Sequence, residues 1–374
     1  MADIEIINQK NENSNLVSTL ANTKYVKPEQ KLLLSKIKDE KDYFCSKENL
    51  INHIRGVYPV FFEQFEISDF INNGSEGYVY KGKYKKGLDN KKYAFKFCIK
   101  KRKEEDKKDI KNQFQEISIV KKLHHPNINQ ILAFNKMGED SYFSVLEFGQ
   151  YGDLDNFQNK LLKRKTLSET CINFFAKPIL ESLQYIHKCK IIHMDIKQGN
   201  ILISSELNPK LIDFSASCSY DEFEPEDIVK FPFVGTNKYI APEIIKREQM
   251  KIKYAEKIDI YSFGITLYTL AFNIYPYNLS DIKGKQYDKI LEKIQSEKLE
   301  FPKDIKVSEK FKDFLSKVLE KDYKKRISIK EALNHPWIQA YQILFDEEQN
   351  IANQENFLIK LITNSIPKFN QYIK

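Results

Sequence analysis

The sequence predicts an α+β chain. From Tyr58 the residues read as strands: Phe65-Glu66-Ile67-Ser68-Asp69-Phe70-Ile71 runs through a glycine-bearing turn into Tyr78-Val79-Tyr80, and further apolar runs lie at 93–99, near 130–135 and near 142–148. From Leu167 to Lys188 the apolar period becomes helical. Beyond it, Ile191-Ile192 and Ile201-Leu202-Ile203 read as short buried strands around a polar stretch, residues 193–200, which makes that stretch a loop held between two strands.

Composition sets the class. The 374 residues suffice for one large two-lobed domain with extensions, or for two or three small domains. With 41% hydrophobic and 13% aromatic residues the chain can fill a sizeable core, and 30% charged residues keep it soluble. The net charge of +8 is interspersed: Lys100-Lys101-Arg102-Lys103 is followed at once by Glu104-Glu105-Asp106, a solvated face rather than a nucleic-acid patch. Cys45, Cys98, Cys171, Cys189 and Cys218 are odd in number and lack C-x-x-C spacing, as expected of free thiols in a reducing compartment. The start of the chain lacks a signal-peptide pattern, residue 2 is not Gly, and no run approaches 18 apolar residues, so no membrane insertion and a cytoplasmic or nuclear location are expected.

Residues 1–58 form an N-terminal extension rich in Asn and Lys, with a helical period over 28–40 at Leu32, Leu33, Leu34 and Ile37; it reads as a flexible segment with one packed helix or as a regulatory arm. In Asn72-Asn73-Gly74-Ser75-Glu76-Gly77 the glycines can let backbone N–H groups approach phosphate oxygens, or can simply make a hairpin turn. Tyr93-Ala94-Phe95-Lys96-Phe97 is an apolar strand interrupted by a lysine that needs an acidic partner, and Glu116, in the helical stretch 114–120, is the best candidate. Over 167–188 Ser168 is the expected N-cap, Glu169 lies in the first turn, and Pro178 should bend or break the helix. The turn 204–209 leads through Lys210-Leu211-Ile212 to Asp213. The acidic run 221–227 either attracts basic residues of a partner or folds onto local lysines. Residues 341–374, with Phe357, Leu358, Leu361 and Ile362 at helical spacing, read as a helical tail packed on the domain.

The stretch His193-Met194-Asp195-Ile196-Lys197-Gln198-Gly199-Asn200, followed by Asp213-Phe214-Ser215, resembles the catalytic loop and metal motif of the eukaryotic protein kinases, H-R-D-x-K-x-x-x-N and then D-F-G. The resemblance extends in family order from about residue 65 to 340: the glycine turn, Lys96 for the V-A-I-K lysine, Glu116 for its helix partner, Gly235–Glu243 for the docking loop and A-P-E, Asp259–Tyr268 for D-x-W-S-x-G with Tyr261 in the Trp position, and Arg326 to pair with Glu243. It implies a bilobal fold, with a small β-rich N-lobe carrying one helix (59–146) and a larger, mainly helical C-lobe (150–340). The implied activity is transfer of the γ-phosphoryl of ATP to Ser or Thr hydroxyls of an unidentified protein, since Thr236 with Lys197 is typical of Ser/Thr kinases; the alternative is a pseudokinase scaffold.

By the same resemblance Asp195, Lys197, Lys96 and Glu116 are catalytic, and Asn200 and Asp213 hold Mg²⁺. Ile71, Asn72, Gly74, Gly77, Val79, Ala94, Lys96, Leu146, Glu147, Phe148, Asp153 and Leu202 line the ATP site, with Glu147-Phe148-Gly149 as the hinge, Asp153 as a ribose contact and Asp259 bonding catalytic-loop backbone. Three positions depart from the family pattern. Asn72 replaces the first glycine, and as a residue tolerant of left-handed φ it can keep the turn. Met194 replaces an arginine that binds a phosphorylated activation-segment residue, so activity should not require that phosphorylation. Ser215 replaces a glycine and, if φ must be positive there, costs about 1 kcal/mol.

Overall fold

The computed structural model describes residues 5–6, 65–74, 77–85, 91–99, 116–136, 141–161, 166–279, 281–282, 284 and 286–340. The extension helix expected over 28–40 and the helical tail expected over 341–374 lie outside them. The described residues fall into two compact units, one within Met1–His124 and Asn129–Phe148, the other within His125–Ile128 and Gly149–Lys374.

The first unit is a wholly antiparallel sheet. Strands β1 (Glu5–Ile6), β2 (Phe65–Gly74), β3 (Gly77–Tyr84), β4 (Lys92–Ile99), β5 (Ile131–Lys136) and β6 (Ser141–Glu147) lie in the order β1-β5-β6-β4-β3-β2. The backbone of Glu5 and Ile6 pairs with Phe134 and Ala133, a strand not expected of the N-terminal extension. Side chains alternate between the faces of a strand, and the register sorts them. Tyr80, Phe95 and Val145 face one another across β3, β4 and β6, as do Tyr78, Phe97 and Phe143, and all six are buried. With Phe65 packed edge-on to Phe95 at 5.2 Å, they form an aromatic core on one face. Residues 116–120 form helix α1.

The second unit is mainly helical. The short helix α2 (Leu154–Asn156) precedes α3 (Glu169–Lys188), α4 (Pro242–Ile245), α5 (Glu256–Phe272), α6 (Tyr287–Ser296), α7 (Glu309–Val318), α8 (Ile329–Leu333) and α9 (Pro336–Ala340). Ser168 caps α3, accepting the Cys171 N–H at 3.4 Å, and Glu169 holds both Ser308 and the indole N–H of Trp337. Of the bend or break expected at Pro178, the break does not occur: α3 continues through it to Lys188. Proline removes one internal hydrogen bond, and a helix with a long buried face, including Ile172, Phe175, Ile179, Leu183 and Ile186, has packing enough to tolerate that loss.

α5 is buried along nearly its whole length and is the centre of this unit. At its start, Arg326 donates to both oxygens of Glu243, at 2.7 and 3.0 Å, and to the carbonyls of Lys257 and Glu320, while its guanidinium lies 4.8 Å from the Tyr261 ring centroid. Both charged side chains are almost fully buried, so each stands in for the water the other has lost. Arg326→Met leaves the Glu243 carboxylate buried without its counter-charge, and a destabilisation of about 3–5 kcal/mol is expected in urea unfolding; a change below about 1 kcal/mol would show the pair to be dispensable.

Candidate active site

In the second unit the loop between β7 (Ile191–Ile192) and β8 (Ile201–Ile203) is held from beneath by Asp259 of α5. Asp259 Oδ2 accepts the His193 N–H at 2.9 Å and bonds His187 Nε2 at 2.8 Å, and Oδ1 accepts the Met194 N–H at 2.9 Å. Complete burial works to raise this carboxyl, but the His187 hydrogen bond, its electrostatic interaction with His187 and His193, and the His193 N–H outweigh it and hold the group below its ordinary range. These bonds fix a backbone that Met194, at φ 67°, carries in the left-handed region. His193 accepts the Asp195 N–H on Nδ1 (3.3 Å) and bonds the Ile212 carbonyl through Nε2 (3.0 Å), which ties the loop to the segment before Asp213.

On this support the polar side chains converge. Asp195 Oδ2 accepts from Lys197 Nζ at 2.7 Å and from Asn200 Nδ2 at 2.9 Å, and Oδ1 accepts the Thr236 N–H at 2.7 Å. Lys197 also donates to Thr236 Oγ1 at 2.7 Å, so the activation segment is stitched to the loop at one residue. Gly235, φ 105°, is required beside it, because a Cβ there would stand 2.6 Å from the Met194 carbonyl oxygen. Beneath the site, Gln198 donates to Gln158 and to Thr269, which anchors the loop a second time to α5.

Asn200 spends its amide nitrogen on the Asp195 carbonyl and carboxylate, which leaves its amide oxygen as the ligand atom, the oxygen type that Mg²⁺ takes. Asp213 supplies a carboxylate from a left-handed backbone, φ 64°. The positive φ therefore falls on Asp213 and not on Ser215, so the strain expected of the serine does not arise. Ser215 instead donates its hydroxyl to Asp213 Oδ1 at 2.7 Å, a contact glycine cannot make. No group of three or more His, Cys, Asp or Glu side chains is set to hold a metal among the described residues; one amide, one carboxylate and substrate phosphates match the way Mg²⁺ is usually held.

In the first unit Lys96 Nζ meets Glu116 Oε2 at 2.8 Å, as the sequence led us to expect. Lys96 pairs with Val79 and with Ser144, and Ala94 pairs with Leu146, so Val79, Ala94, Lys96 and Leu146 share the face opposite the aromatic core. Asn72 lies in β2 opposite Val79, without a left-handed φ, and Ile71 beside it is exposed at a register shift. Gly74 pairs with Gly77, and a Cβ at Gly77 would stand 2.2 Å from the Phe97 carbonyl oxygen, so close strand approach alone accounts for that glycine. The Glu147 carbonyl accepts from Asn129 at 3.3 Å, and Phe148 lies under Lys81 at 5.4 Å. In the second unit Leu202 forms a backbone bridge with Asp153. Asp153 caps α2 with both carboxylate oxygens on Asn156, at 2.7 Å each, and burial raises its carboxyl against those two bonds. This cap was legible as Asp before a short helical run, but was read only as a ribose contact.

The protein kinase domain family matches residues 65–338. The chain belongs to that family. Among its relatives, the serine/threonine-protein kinase ULK3 of Mus musculus is 30% identical over 277 residues, 73% of this chain and 54% of its own length, and that of Homo sapiens is 29% identical over 283 residues, 75% and 56%. Death-associated protein kinase 2 of Mus musculus is 30% identical over 311 residues, 79% of each. The chain thus spans about half the length of the ULK3 relatives it matches. Protein kinases generally use ATP and Mg²⁺ and act on protein substrates. No described helix is long and apolar enough to cross a membrane.

Within this kinase domain the activation segment is pinned by charge. Glu226 bonds Lys251 and Lys253, at 2.6 Å each, and β9 (Ile228–Val229) pairs with β10 (Met250–Lys251) alongside. The Lys251 bond, with that of Lys253, lowers the exposed Glu226 carboxyl to about 2. Of the two readings of the acidic run, Glu226 takes the local one. Between Asp213 and Thr236 the hydroxyls are those of Ser215, Ser217, Ser219 and Tyr220, bonded respectively to Asp213, the His193 carbonyl, Asp221 and the His187 carbonyl. Residues 221–235 contain no hydroxyl at all.

A depressed carboxyl stabilises the fold above its unfolded pKa of about 4, and that contribution is lost as pH falls through the folded value. Asp259 is such a group. Asp259→Asn sets an amide N–H₂ against donors, so its stability deficit is expected to be largest near pH 7 and to narrow toward pH 3 in urea midpoints; a deficit independent of pH would exclude this account.

Proposed function

We propose that the chain transfers the γ-phosphoryl of ATP to Ser or Thr hydroxyls of proteins. The observation that carries this reading is the convergence of Lys197, Asn200 and the Thr236 N–H on the Asp195 carboxylate. Three donors lock one carboxylate rotamer, and the incoming hydroxyl gives its proton to a base already in place. Lys197, bonded to both Asp195 and Thr236, neutralises charge on the moving phosphoryl and registers the acceptor segment. In the first unit Lys96, aligned by Glu116, is the residue for the α and β phosphates, and Val79, Ala94 and Leu146 give an apolar surface for the base. The Asn200 amide oxygen and the Asp213 carboxylate take the Mg²⁺. When bound, that ion screens the phosphate oxygens and the negative charge that develops on them. Ser215 holds the Asp213 carboxylate by its Oδ1.

Asp195→Asn keeps the shape and removes the base, so radiolabelled phosphate transfer to a generic basic protein is expected to fall by about 10²–10⁴-fold. Equal transfer by the two proteins would instead favour a binding scaffold.

Activation-segment phosphorylation is not needed in this reading. Met194 is buried and offers no cation, every hydroxyl before Thr236 is engaged, and Glu226 with its two lysines supplies the tether that a phosphate would. Phosphatase-treated enzyme should retain its full rate; a large loss, reproduced by Ser219→Ala, would contradict this.

A further inference from the structure

The second unit carries a pocket of about 400 Å³ that includes none of the catalytic-loop residues. Its wall joins the end of α3, the activation segment at Tyr220 and Pro225, the start of α5 and the start of α8. Four lysines line it, Lys188, Lys190, Lys253 and Lys330, against one carboxylate, Glu256. Lys253 is taken by Glu226, and Glu256 accepts the Ile329 N–H at 3.2 Å. Lys188 reaches only the Gln184 amide oxygen at 3.4 Å, and Lys190 lies 5.7 Å from the centre of the Tyr220 ring. Among the described residues no carboxylate forms an ion pair with Lys188, Lys190 or Lys330. Lys188, Lys190 and Lys330 are exposed, and an anion seated among them is attracted by all three.

His187 also lines the pocket, and it is more than nine-tenths buried. Its Nε2 is held by Asp259, while its buried Nδ1 has no hydrogen-bond partner among the described residues. The same Asp259 oxygen accepts the His193 N–H of the catalytic loop. The wall of the pocket is thus two hydrogen bonds away from the backbone that carries Asp195.

We propose that this pocket binds a phosphate monoester borne on a small polar body. Three lysines from two separate stretches of chain line it, and their charges suit a dianion with several acceptor oxygens better than a carboxylate, which brings one charge and two oxygens. The volume lies at the lower end of the range for small-molecule sites and has room for more than the phosphate alone. The proposal is independent of the phosphoryl-transfer reading, and its test uses no activity.

The full-length chain is titrated calorimetrically, in EDTA and without ATP, with two monoesters: glucose 6-phosphate, and a short neutral peptide containing phosphoserine. One-to-one binding of at least one ester is expected, weakened at least tenfold by Lys190→Glu and by Lys330→Glu, and less by Lys330→Gln, with thermal midpoints unchanged. Tighter binding of the peptide assigns the group to a phosphorylated protein, and tighter binding of the sugar to a free metabolite. The milder Lys330→Gln variant decides the matter should a charge reversal disturb folding. Failure of both esters to bind below millimolar concentration, or equal affinity in the wild type and the variants, overturns the proposal.

Discussion

The interaction on which the site depends is that of a fully buried carboxylate with the backbone it holds. Asp259 sits at 0% exposure in the core of the second unit and finds all its compensation in the N–H groups of His193 and Met194 and the ring of His187. An ionised group so placed is tolerable only while those donors stay where they are. The loop is therefore held by the energy of keeping a charge solvated inside the protein, which is a stronger constraint than loop sequence alone could impose. Everything above follows from that: Asp195 next to Met194, Lys197 and Asn200 closing on Asp195, and Thr236 drawn in from the activation segment.

The first unit solves a different problem with the same economy of parts. Its sheet has one face filled by aromatic rings and one face left for Val79, Ala94, Lys96 and Leu146. Glu116 on α1 neutralises the lysine in this central strand at 2.8 Å. A strand charge and a helix charge that need each other hold the helix to the sheet.

Much of this was legible in the sequence because the chemistry is local. Asp195, Lys197 and Asn200 fall within six residues, and Lys96 interrupts an apolar strand where an unpaired charge would be untenable. The α+β class followed from the change of apolar period between residues 65–148 and 167–188. What escaped was set by tertiary contact. The hydroxyl of Ser215 on Asp213 depends on Asp213, not Ser215, taking the left-handed backbone. The partners of Glu226 lie 25 and 27 residues further along the chain, brought near by the β9–β10 pairing. Pro178 obeyed packing over propensity, since a deeply buried helix can forgo one hydrogen bond.

The Glu226 tether also bears on how such a molecule could be governed. A phosphate that fastens a segment can be added and removed within seconds by other enzymes, whereas a carboxylate is written into the polypeptide and no hydrolase erases it. The contact that Glu226 makes with Lys251 and Lys253 is therefore present from the moment the chain folds.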